Sequence, residues 1–174
     1  MPGKIILTTE RLVLCEFNTE DAPFVFSLVN SPDYIKYIVD RNVRSTEDAV
    51  EFIKKDFLQS YHLNGFGTFH LSLKETGIPI GSCGLKKREY LHFPDIGYVL
   101  LPEYYGLGYA FEIAQAVRQY GILQLGFTNI HAMILPENER SVHLIVKLNF
   151  QYDRDLILPV TGEKVSLYTY ASEN

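Results

Sequence analysis

The chain is poor in cysteine: its 174 residues contain two, Cys15 and Cys83. Both lie inside apolar, strand-like runs, with no C-x-x-C or histidine pattern beside them. A zinc ribbon or a dithiol redox motif is therefore excluded. The two thiols are expected to be buried and reduced, as in a cytoplasmic protein. An excess of basic charge is lacking as well. Lys and Arg number 16 against 21 Asp and Glu, a formal net charge of −5. That argues against nucleic-acid binding, which needs a concentrated basic face. An acidic surface is compatible with an amine or a basic peptide as partner, although a charge of this size serves solubility first. No apolar run approaches the roughly 18 residues of a membrane span. The opening "MPGKIILTTERLVL" lacks an apolar h-region with a small-residue cleavage site, so no secretion signal is expected.

Catalytic and metal signatures are also missing. The histidines at 62, 70, 92, 131 and 143 form no H-x-x-x-H or H-E-x-x-H pair, so no metal site is expected. No serine stands in a G-x-S-x-G elbow.

What is present is an ordinary globular composition, 47% hydrophobic and 21% charged. The length suits one domain, 1–174, with a sizeable core. Residues 5–17 read as a strand or a bent pair of strands. Asn18 or Thr19 caps a helix, and "SPDYIKYIVD" gives a loop with a short helical turn. Ser45 opens a longer helix that Asn64-Gly65 stops. A hairpin around Glu75-Thr76-Gly77 follows, then the strand "DIGYVLL". Apolar spacing from Phe111 to Leu125 predicts a helix over roughly 106–125. "TNIHAMIL" is a strand, "NERSVHLIVKLNF" a helix ended by Asn149, and the remainder a hairpin around Thr161-Gly162. The order β-α-α-β-β-β-α-β-α-β-β predicts an α/β (α+β) fold, a mixed sheet with helices on its faces.

One turn stands out. "PEYYGLGYA", Pro102 to Ala110, joins a strand to a helix through two glycines. A helix N-terminus has unsatisfied N–H groups and a partial positive charge, and glycines before it let a phosphate approach the backbone. It is not a nucleoside-triphosphate loop, which needs G-x-x-x-x-G-K-[ST]. It is not a dinucleotide fingerprint either, because Phe111 occupies the third glycine's place. A ligand-free glycine turn remains the plain alternative.

Together with "PENERSVHLIVKLNF", this stretch resembles the GNAT superfamily of acetyl-CoA-dependent N-acetyltransferases. The matching segments, "DIGYVLLPEYYGLGYAFE" and the Asn138 helix, cover roughly a fifth of the chain, and the opening "TERLVLCEFNTEDA" is also similar. The details look like the branch that acetylates ribosomal-protein N-termini, the RimJ/RimL-like group. Tyr105 and Leu107 depart from the usual Gln/Arg and basic residue of the loop, and an aromatic before the first glycine is usual in that branch.

The resemblance implies a GNAT fold: a central mixed, largely antiparallel sheet with splayed strands and helices on both faces. It implies that acetyl-CoA is held by the strand backbone at Val99, Leu100 and Leu101, by the loop Gly106, Leu107, Gly108, Tyr109 and Ala110, and by Asn138. Asn138 is equally a natural helix N-cap. The superfamily's usual tyrosine acid falls on Ile145, so the thiolate's partner is expected at Ser141. Asp95, opening the strand, is the expected proton acceptor, with Glu89 and His92 behind it. Tyr34 and Tyr37 are candidates for the acceptor cleft but read first as core, and Lys86–Arg88 is a candidate for a CoA phosphate but reads first as a solvated strand end.

The expected reaction is direct attack of a primary amine on acetyl-CoA in a ternary complex, with a protein or peptide N-terminus as first choice. An α-amine, with a pKa near 7.7–8.0, is roughly a tenth neutral at pH 7, whereas a lysine amine near 10.4 is neutral in only about one molecule in a few thousand. The α-amine thus asks less of a base. The alternatives are a small amine, such as a polyamine or an aminoglycoside, and a non-catalytic acyl-CoA sensor. A homo-oligomer is compatible with all of these.

Overall fold

The computed structural model describes residues 3–159 and 161–172. The first apolar stretch is a bent pair, β1 (Ile5–Thr8) and β2 (Leu12–Cys15), folded back antiparallel with Leu7 facing Leu14. Asn18 then begins a 3₁₀ turn in a complete capping box, its side chain accepting from Glu20 while Asp21 accepts the Asn18 N–H. Helices α1 (Ala22–Val29) and α2 (Pro32–Tyr37) follow, each with proline in its first turn, where no N–H is needed.

Ser45 caps α3 (Thr46–Phe52) by accepting the Asp48 N–H. The helix continues through a π-helical stretch, Ile53–Leu58, into α4 (Gln59–Asn64), and Gly65 ends it at φ 75°. The π stretch carries Asp56. Strands β3 (Thr68–Leu73) and β4 (Pro79–Lys86) form the expected hairpin, and β5 (Asp95–Leu100) pairs along the whole far edge of β4. Helix α5 spans Tyr109–Leu123, shorter at its start than the spacing suggested, because Gly106 and Gly108 are both left-handed and belong to the turn. Strand β6 (Asn129–Ile134), helix α6 (Glu139–Lys147), β7 (Gln151–Ile157) and β8 (Lys164–Ala171) complete the chain, with Asn149 left-handed after α6.

The strands form one sheet, ordered β1-β2-β3-β4-β5-β6-β8-β7. Every pairing is antiparallel except β5 with β6. Both faces are covered. Ile113, Ala114 and Val117 of α5 and Ile145 of α6 close one core, and Val25, Val29, Ala49, Ile53 and Phe57 close the other. Cys15 and Cys83 are free and buried, as expected. Among the described residues, no helix is long and apolar enough to cross a membrane.

The feature that positions the site is the β5–β6 junction. The two strands share a single register pair, Asp95 with His131, and the His131 N–H donates to Pro94 O at 2.8 Å. Beyond that point they part, leaving a wedge-shaped gap in the middle of the sheet.

Candidate active site

Backbone groups alternate sides along a strand. The Leu101 N–H donates to Ile80 O on β4, so Val99 and Leu101 turn their backbone groups to β4. Tyr98 and Leu100 turn theirs into the gap. A ligand lying in the gap would therefore pair with Tyr98 and Leu100, and the Val99 and Leu101 backbones are occupied by the sheet.

At the mouth of the gap the chain makes the glycine turn. Gly108 is the N-cap of α5 at φ 83° and supplies no side-chain cap, so the first-turn N–H groups stay open to an anion. A Cβ at Gly106 would meet nothing within 4 Å, which leaves the backbone approachable. The fit to a pyrophosphate is good. The sequence departures at Tyr105 and Leu107 leave no cation in the loop, but one lies against it. Arg11, just before β2, donates from Nη1 to Leu107 O at 2.9 Å, lies 4.5 Å over the Tyr109 ring and is held by Glu112 at 2.7 Å. No spacing rule links residues about 100 positions apart, so sequence reasoning could not find it.

A cavity of about 380 Å³ runs from this turn into the gap. It brings together Val99, Leu100, Gly106, Gly108, Tyr109, Ala110, Asn138 and Ser141 from the expected set; Leu101 and Leu107 do not line it. The Asn138 side-chain oxygen accepts the Ser141 N–H at 3.3 Å, capping α6. Among the described residues its amide nitrogen has no hydrogen-bond partner, and Asn138 lines the cavity. The cap places the Ser141 side chain on the first turn of α6, at the wall between this cavity and a second of about 170 Å³. Ser141, Asn138, Tyr98, Tyr37 and Ile38 line both. Tyr98 belongs to the stretch 97–101 whose backbone was expected to meet the cofactor, but its side chain was not anticipated. Its hydroxyl lies 3.5 Å from Ser141 O, and burial pushes its pKa up to about 12.

Asp95 lines the second cavity, away from the first. It is buried, and burial raises its pKa against the pull of Arg88 and of the Met133 N–H. Oδ2 pairs with Arg88 at 3.1 Å, and Oδ1 accepts from Met133 at 3.1 Å. Ile145 is fully buried in the core beneath α6. Of the two tyrosines, Tyr37 lines the cleft, whereas Tyr34 is buried among α1 and α3 and reaches only a smaller chamber beside the second cavity. The solvated strand end at Lys86–Arg88 needs correction. Lys86 is clasped by Asp56 at 2.8 Å and Arg88 by Asp95, and only Lys87 is exposed.

Over the first cavity, Arg140 of α6 stacks 4.6 Å above Tyr105 and pairs with Asp33 of α2. Burial pushes the Asp33 carboxyl up, but its bonds to Arg140 and Tyr105 outweigh that and hold it below the ordinary range. The three residues bridge the cleft from α2 to the glycine turn. Among the described residues no group of three or more His, Cys, Asp or Glu is placed to hold a metal.

The comparisons with known proteins agree with this geometry. A family model described as an acetyltransferase (GNAT) domain matches residues 11–151. The N-acetyltransferase YoaA of Bacillus subtilis (strain 168), named as uncharacterised, is 30% identical over 147 residues, 84% of this chain and 82% of that protein. Among solved structures, the ribosomal L7/L12 alpha-N-protein acetyltransferase RimL, in complex with coenzyme A, has TM-score 0.82 at 15% identity, covering 97% of this chain and 98% of that one. Spermidine N-acetyltransferase from Vibrio cholerae, in complex with CoA and spermine, has TM-score 0.77 at 20% identity, covering 94% and 96%. At those identities the two structures speak for the fold.

Proposed function

The chain belongs to the GNAT acetyltransferase family, and from that premise we propose that it transfers the acetyl group of acetyl-CoA to the α-amine of a protein or peptide N-terminus by direct attack. The observation that carries this reading is the position of Ser141 in the wall between two cavities, one reached from the glycine turn and one containing Asp95.

Acetyl-CoA supplies an activated carbonyl. Its pyrophosphate would lie on the α5 N-terminus beside Arg11, and its pantetheine arm would pair with Tyr98 and Leu100 and meet the Asn138 amide. The acceptor amine enters from the second cavity. As its nitrogen bonds the carbonyl carbon, the carbon–sulfur bond breaks. Ser141 donates a hydrogen bond to the leaving thiolate and relays a proton to it from water. The proton lost by the amine passes through water to Asp95, which burial makes more basic than an ordinary carboxylate. Most of the rate gain comes from holding amine and carbonyl together.

An α-amine suits a site whose acid and base both act through water, because it is partly neutral at pH 7. The likeness to RimL supports it, and the likeness to spermidine acetyltransferases names the alternative acceptor. The test is turnover of acetyl-CoA against N-terminal peptides, spermidine and an aminoglycoside, with the acetylated position found by mass spectrometry. Acetylation on a peptide α-amine is expected. Acetylation confined to the polyamine or the aminoglycoside would overturn the reading.

A further inference from the structure

Beyond Asp95 the acceptor cavity continues into a deeper chamber of about 80 Å³, and the two share Ile38, Arg88, Asp95, Gly97 and Tyr98. That is enough for a carboxylate on a short alkyl arm, since one water needs only roughly 10–15 Å³ of such space. Its charged lining is Arg41, Lys86 and Arg88 against Asp56 and Asp95. Two of the cations are neutralised within the chamber. Asp56, on the π-helical stretch, accepts from Lys86 with both oxygens at 2.8 and 3.0 Å. Asp95 pairs with Arg88.

Arg41 is left over. Its Nε lies 3.4 Å from the Tyr34 hydroxyl, and its guanidinium sits 5.6 Å from the Phe52 ring centre. Among the described residues no carboxylate lies within ion-pair distance of it. Tyr34 is buried with its pKa raised by that burial, so it stays neutral and cannot balance the charge. Asp56, farther off, adds to the field that keeps the guanidinium charged, but among the described residues only Nε has a protein hydrogen-bond partner, so the Nη donors remain available to a ligand. They are well suited to an anion, which a guanidinium grips with two parallel hydrogen bonds.

We propose that the acceptor carries an anionic group, carboxylate or phosphate, within a few bonds of its reacting amine, and that Arg41 binds this group in the deep chamber. The inference rests on the α-amine reading above and narrows it to N-termini with an acidic or phosphorylated first residue. The amine is left in the outer cavity, with Asp95 and, at its rim, the exposed Glu163. A polyamine has no anion for the chamber and would place a second ammonium against Arg41.

The experiment measures kcat/KM for peptides that differ only in the first residue: Asp against Asn, Glu against Gln, phosphoserine against serine, with spermidine and free aspartate alongside. With wild-type protein the anionic member of at least one pair is expected to be favoured about tenfold, as for a charge-assisted bidentate bond. The Asp and Glu pairs report a carboxylate and the phosphoserine pair a phosphate. Arg41→Gln should bring the favoured pair to within about twofold without slowing the neutral peptide, and Arg41→Lys should keep part of the preference. Equal rates within every wild-type pair, or a preference that survives Arg41→Gln in a protein with an unchanged melting curve, would overturn the inference. If Arg41→Gln does not fold, the wild-type pairs and Arg41→Lys decide. Peptides turned over without preference would overturn the anion site alone, and free aspartate turned over without any peptide would overturn the peptide reading alone. Spermidine as the best acceptor would overturn both.

Discussion

The Asp95 carboxylate accepts the Met133 N–H at 3.1 Å, across the place where β5 and β6 part. A side chain here takes the bond that a neighbouring strand would otherwise supply. The backbone donor on β6 stays satisfied although the strands have begun to diverge. The same residue is thus the clasp at the apex of the gap and a carboxylate lining the second cavity.

Asp95→Asn should therefore change two pH dependences at once. Burial raises the folded-state pKa above the unfolded value. Protonated Asp95 is thus favoured by the fold, and its contribution to stability is present at low pH and lost as pH rises through the raised value. The melting temperature of wild type relative to Asp95→Asn is expected to be higher near pH 4 than near pH 7. In kcat/KM, the acid limb that reports ionisation of this carboxyl should disappear in Asp95→Asn, with a drop of about 10² or more if it takes the amine's proton. An acid limb of unchanged position would remove Asp95 as the proton acceptor.

Ser141→Ala separates chemistry from folding. The α6 cap uses the Ser141 backbone N–H and the Asn138 oxygen, so losing the hydroxyl leaves the cap in place. The melting temperature should move by no more than about a degree or two, as for a substitution outside the core. The value of kcat is expected to fall about 10²-fold, with KM for acetyl-CoA within about twofold. Single-turnover kinetics check it, and an unchanged kcat would exclude the hydroxyl from the thiolate's departure.

Much of this was legible in the sequence, for physical reasons. Period-2 and period-3.6 patterns located the strands and the long helices, and Ser45, Gly65 and Asn149 marked ends because caps and left-handed residues are local chemistry. The glycine turn and Asn138 were visible for the same reason. Arg11 on Leu107, Arg140 on Asp33, and Asp56 on Lys86 were not. Each joins elements distant in the chain, and no periodicity encodes which exposed-looking charge folds inward. Lys86–Arg88 shows the cost of reading charge as solvation. Two of its three residues close ion pairs that line a small chamber.

Arg11→Ala tests whether a cation from just before β2 replaces the one missing from the loop. Arg11 also pairs with Glu112, but the pair is partly exposed and adds little to stability. The expected effect is an increase of about five- to tenfold in KM for acetyl-CoA, the size of one partly exposed hydrogen bond to a charged group, with kcat nearly unchanged. The wild-type KM should rise with salt more steeply than that of Arg11→Ala, because an exposed cation's pull on a phosphate is screened. Equal salt slopes would place Arg11 outside the cofactor's field.

Gly97→Val probes the acceptor side without touching the cofactor side. Gly97 lines the outer cavity and the deep chamber but not the cofactor cavity. A Cβ there would meet nothing within 4 Å, and its φ lies outside the left-handed range. The strand can therefore accept a side chain without strain, and valine suits a strand better than glycine by a few tenths of a kcal/mol to about 1 kcal/mol. Stability is expected to hold or rise. The added methyls fall where the acceptor must pass from one cavity to the other, so KM for the acceptor should rise about tenfold while KM for acetyl-CoA stays within about twofold. Initial-rate kinetics with each substrate varied in turn, alongside a thermal melt, check both halves. A rise in KM for acetyl-CoA alone would mean that the acceptor reaches the carbonyl by another route, and that the chamber behind Gly97 lies off its path.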